Sequence, residues 1–95
     1  MKTKFKEEVI DYIVRKDLEK EFKNVLNKIE KLFKPDKITI SIVYDPYTYE
    51  DGSERIVFDV KSNLSKKDFD TTLKSLYKTI RNSRIYHLIV ISSDL

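Results

Sequence analysis

Few residues in this chain could do covalent chemistry. There is one histidine, His87, between Tyr86 and Leu88 in an apolar run. A single imidazole cannot build a histidine metal cluster, and the absence of cysteine removes thiolate metal sites, cysteine nucleophiles and disulfides. With one glycine the chain holds neither a phosphate-cradling loop nor a dinucleotide fingerprint. No serine stands in a nucleophile-elbow context. The residues therefore read as those of a protein that is not an enzyme and carries no metal or cofactor, with His87 a packed or partly exposed strand residue.

Two polar groupings remain. Asp45, Glu50, Asp51 and Glu54 cluster around a turn, flanked by Tyr47 and Tyr49. Hard cations take oxygen ligands, but this spacing matches no ligand loop, and solvated turn acids are the simpler reading. Lys61, Lys66, Lys67, Arg81 and Arg84 bracket a predicted helix whose polar face adds Lys74 and Lys78. Together they are the candidate nucleic-acid contacts. The excess of lysine over arginine, the better phosphate reader, favours an ordinary solvated face.

The elements that position these groups are legible from periodicity. Lys37–Tyr44 alternates, with Ile38, Ile40, Ile42 and Tyr44 on one side. Arg55–Lys61 does the same with Ile56, Phe58 and Val60. Alternation of β-branched residues marks half-buried strands. Asp51-Gly52 is a strong hairpin signal. A two-residue turn there, however, would put the two apolar rows on opposite faces of the sheet. A longer loop, or a bulge at Asp45-Pro46, must restore the phase.

Residues 4–34 read as helix, with Ile10, Val14, Leu18, Phe22, Val25, Ile29 and Leu32 in one stripe, widened by Phe5, Val9, Ile13, Leu26 and Phe33. Glu19–Lys23 and Glu30–Lys34 are i,i+4 pairs, and Pro35 ends the segment. Unbroken, it would measure about 45 Å against strands of about 20–27 Å. Either it breaks near Arg15-Lys16-Asp17, with Asp17 as N-cap, or it stays whole and packs its overhang on a second subunit. The stripe keeps phase through 16–17, which favours one long or kinked helix in a dimer. Ser65-Lys-Lys-Asp68 resembles a capping box opening a helix over 66–82, where Asp70–Lys74 is a further pair. Arg84–Ser92 reads as a strand apolar on both sides. One of its faces would join Val57 in an exposed apolar patch, making Val57, Tyr86, Leu88 and Val90 the candidate dimer or partner interface.

The whole is a single α+β domain over 1–95, in the order α-β-β-α-β. Two helical regions pack on one face of a three-stranded sheet, with the strand order open. Net charge is +3 but unevenly spread: residues 35–60 carry two basic and six acidic groups, residues 61–95 seven basic and three acidic. Such asymmetry can steer a partner or a second copy. Neither a membrane-spanning run nor a signal-peptide pattern is present, so a cytoplasmic protein is expected. Charged residues at 37% with few amides fit a thermophile.

The sequence Phe33-Lys-Pro-Asp36, the strand end Tyr44-Asp-Pro46 and the run Val57-Phe-Asp-Val-Lys-Ser-Asn-Leu-Ser65 resemble small uncharacterised prokaryotic α/β proteins of thermophile type. The resemblance implies no activity, cofactor or site residue. The expected function is a non-enzymatic protein-interaction module, self-associating as a homodimer. A nucleic-acid-binding regulator using the basic second helix is the alternative.

Overall fold

A computed structural model describes residues 2–43 and 54–93. The predicted acidic loop tip and the break at Asp45-Pro46 lie outside these residues, apart from Glu54. The chain is α+β, as its periodicities require. Its strands are β1 (Lys2–Phe5), β2 (Lys37–Val43), β3 (Arg55–Lys61) and β4 (Ile89–Ser93). Its helices are α1 (Glu7–Arg15), α2 (Glu19–Phe33) and α3 (Lys66–Ile80), with a 3-10 turn at Tyr86–Leu88.

The sheet runs in the order β1-β2-β3-β4. The central pair is antiparallel, with Ile38 opposite Val60, Ile40 opposite Phe58 and Ile42 opposite Ile56. Both apolar rows thus share one face, and the slip implied by a two-residue Asp51-Gly52 turn is avoided. Each outer strand is parallel to its neighbour: Thr3 lies opposite Ile38, and Val57 opposite Val90. Parallel neighbours need a crossover, which the helices supply. The molecule is therefore two β-α-β units, β1-α1-α2-β2 and β3-α3-β4, joined by an antiparallel pair.

β1 was not expected. Its last two residues, Lys4 and Phe5, fall inside the segment read as helix, and it adds a fourth strand to the predicted three. The helix is also not continuous. α1 stops at Arg15, and Asp17 takes a left-handed conformation with φ 56°. The Asp17 N–H donates to the Val14 carbonyl at 3.1 Å and the Leu18 N–H to the Ile13 carbonyl at 2.9 Å. These two bonds, with Ile13 and Leu18 both buried, form a Schellman ending. Asp17 therefore closes α1 instead of capping α2, whose N-cap is Leu18. Asp tolerates the left-handed region better than most residues, which is why the reversal can sit there. The break removes the overhang: α2 and α3, fifteen residues each, run about 22 Å, the length of a seven-residue strand.

One core lies between sheet and helices. Phe58 stacks on Phe22 with ring centroids 5.6 Å apart, and Phe33 of α2 meets Phe69 of α3 at 4.8 Å. Ile29, Ile38, Ile40, Ile56, Leu76 and Ile85 are fully enclosed around them. Each such side chain contributes about 1.5–3 kcal/mol by leaving water. α3 begins where its sequence predicts, because the Ser65 hydroxyl accepts the Asp68 N–H at 3.2 Å. The salt bridges predicted within helices, Glu19–Lys23, Glu30–Lys34 and Asp70–Lys74, do not close. An ion pair instead spans the two units, from Arg84 to Glu21.

The last strand is shorter than its apolar run. Residues 84–88 turn out of the sheet, and β4 begins only at Ile89. Ile85 still reaches the core, but from a turn.

Candidate functional site

The four residues expected to share an apolar interface are divided by that turn. Val57 and Val90 lie opposite each other on the open face of the sheet, and Val90 is 43% exposed. Tyr86 and Leu88 have left the sheet and pack, half-buried, against the core. The open face is mixed in character. Thr39, Ser41 and Asp59 alternate with its valines, and the Ser92 hydroxyl donates to the Asp59 carboxylate.

The five basic candidates are divided as well. Lys61 ends β3 and Lys66 and Lys67 open α3, whereas Arg81 follows its last turn. Lys67 and Arg81 are separated by about 21 Å of helix. Arg84 is occupied. Its guanidinium donates to Glu21 at 3.0 and 3.3 Å and to the Asp17 carbonyl at 2.7 Å. It thereby ties the α1–α2 joint to the turn before β4. Glu21 accepts a bond from its own backbone N–H and the bonds from Arg84, and both lower its pKa below 4.5.

Two surfaces not assembled in the sequence reading emerge. The first lies on α1. The buried side of this helix is Val9, Tyr12 and Ile13, which leaves Ile10 and Val14 outside at 47% and 57% exposure. They form part of the wall of a groove of about 330 Å³ between α1 and α2, which Phe5, Ile13, Phe22 and Leu26 also line, with Glu19 and Lys23 at hand. The stripe itself was visible in the sequence. The break at Asp17 decides which of its members are covered.

The second surface lies at the C-terminal end of α3. Lys74, Tyr77, Lys78, Arg81 and Tyr86 line a shallow groove of about 600 Å³. Tyr86 is edge-on to Tyr77 at 5.9 Å and to exposed His87 at 4.9 Å, giving a row of three rings. The Tyr77 hydroxyl accepts the Ile91 N–H of β4 at 3.3 Å. Burial of this phenol raises its pKa above 10.0, against a smaller lowering by the Ile91 bond. The i, i+4, i+7 spacing of Lys74, Lys78 and Arg81 carries this surface in the sequence. The ring row could not be read there, because it depends on the turn at 84–88.

A smaller cavity of about 210 Å³ sits under the start of α3, lined by Phe69, Leu73 and Ile91 with Lys66 and Asp70 among its polar neighbours. Among the described residues no three metal-ligating side chains come together, and no helix is long and apolar enough to cross a membrane. No known family model, curated protein or solved structure matches this chain significantly.

Proposed function

We propose that this chain is a non-enzymatic interaction module that pairs with a second copy of itself through α1. The observation that carries this reading is the exposure of Ile10 and Val14, which form one wall of an apolar groove on the same molecule. A two-fold contact must be self-complementary, and a groove whose own wall projects apolar side chains meets that condition. Charge supports the same partner. α1 exposes Glu7, Glu8 and Asp11 toward its start and Arg15 and Lys16 at its end. Two copies packed antiparallel set the acidic end of each α1 against the basic end of the other.

Light-scattering mass over a concentration series tests this, the chain alone being 11.3 kDa. The expected result is a dimer that Ile10→Asp with Val14→Asp converts to a monomer that still folds, with a melt that no longer depends on protein concentration. Val43→Asp with Val90→Asp, on the open sheet face, should leave the dimer intact. A wild-type chain that stays monomeric at every concentration refutes the reading. If only the sheet-face variant dissociates, pairing is real but runs through the valine row.

A further inference from the structure

We infer that the C-terminal half of α3 and the turn after it form a binding site for single-stranded nucleic acid. Lys74, Lys78 and Arg81 would follow the phosphates, and Tyr86 and His87 would meet the bases. The argument begins with charge. These three cations sit on one side of α3, and none is joined to a carboxylate among the described residues. The nearest arginine outside the group, Arg84, is already held by Glu21 and the Asp17 carbonyl. Three cations left unneutralised along one groove attract a polyanion and release its counterions on binding.

The rings decide which polyanion. Tyr77, Tyr86 and His87 are arranged in a row beside the cations. Tyr77 is committed, its hydroxyl engaged with Ile91 and its ring packed on the core. Tyr86 is half-buried and His87 is exposed, so both reach solvent next to the charge. In a duplex the base faces are stacked and inaccessible to them. In a single strand the bases are free to stack on aromatic side chains while the backbone tracks the cationic groove. The surface is separate from the α1 ridge, and pairing through α1 leaves it open.

The test is binding of single-stranded DNA and RNA oligonucleotides of mixed sequence across a salt series, with duplex DNA and heparin as competitors. Three phosphate contacts give a log–log slope of affinity against salt of about −2. Lys74→Glu with Lys78→Glu and Arg81→Glu should abolish binding. The same reversal at Lys61, Lys66 and Lys67 should preserve most of it. His87→Ala and Tyr86→Leu should each weaken single-strand binding about tenfold and leave heparin binding unchanged. Because Tyr86 touches the core, its variant counts only alongside an unchanged melt, and His87→Ala stands in its place otherwise. Three outcomes overturn the inference: no single-strand binding by the wild type at low salt, indifference to the reversal on α3, or equal binding of duplex and single strand with both ring variants silent. The last would reveal a phosphate surface without base contact.

Discussion

The two β-α-β units solve one problem with different amounts of helix. In β3-α3-β4, a single fifteen-residue helix covers two strands and stops. In β1-α1-α2-β2, nine further helical residues precede a helix of that same length. The second unit leaves Leu64 and Val90 exposed, but no large apolar side chain of its helix is, and α3 turns its charge outward. The first has more apolar helix than sheet to cover, and Ile10, Val14 and Leu32 are its helical remainder, with Phe5 and Val43 exposed on its strands. The strand edges differ in the same sense. On β4 the Ile91 N–H is occupied by the Tyr77 hydroxyl from the unit's own helix. β1, at the opposite edge, pairs on one side only. A crossover that fits its strands yields a closed unit, and one with helix to spare yields a surface for a partner.

The largest expected effect comes from severing the units. Phe33→Ala removes the ring that joins α2 to Phe69 of α3 and should cost about 3–5 kcal/mol by urea denaturation. Smaller, and confined to the first unit, is the effect at Asp17. Asp17→Val places a β-branched residue at φ 56° and should cost about 1–2 kcal/mol, whereas Asp17→Gly relieves the conformation. Hydrogen exchange should quicken in α1 for the valine variant and stay unchanged in α3. If α3 responds equally, the units are one cooperative block and the comparison fails.

Smallest is Tyr77→Phe, which acts on the second unit alone. Loss of the hydroxyl should cost about 1 kcal/mol and speed exchange at Ile91. It should also change the response to alkali. A phenol whose pKa is raised by folding adds stability that is complete below its unfolded value near 10.0 and is lost as pH rises through the folded pKa. The wild type should therefore weaken above about pH 10, and the phenylalanine variant should weaken less.

Much of this fold can be read from the chain because its signals are local. Alternation located β2 and β3, and Ser65 with Asp68 located the start of α3. The failures share a physical cause. β1 is four residues long, too short for a period, and exists through pairing with β2, more than thirty positions away. The break at Asp17 leaves the apolar stripe in phase, so periodicity could not mark the boundary. In the last run, Ile85, Ile89 and Ile91 all face the core, and their spacing suits a strand. A turn at 84–88 satisfies the same burial, so alternation alone could not separate the two. The candidate surfaces inherit these limits. Lys74, Lys78 and Arg81 follow from helical spacing, but the neighbours of Tyr86 depend on that turn, and the exposure of Ile10 depends on the break.

The hydroxyl on Ile91 also bears on how far strand-to-strand association could go. A filament built by adding strands needs two free edges on every subunit, one to accept and one to offer. Here one backbone N–H of β4 is already taken from within by Tyr77. A strand added at that edge would have to displace the phenol before it could pair at Ile91, so β4 is the less ready of the two edges.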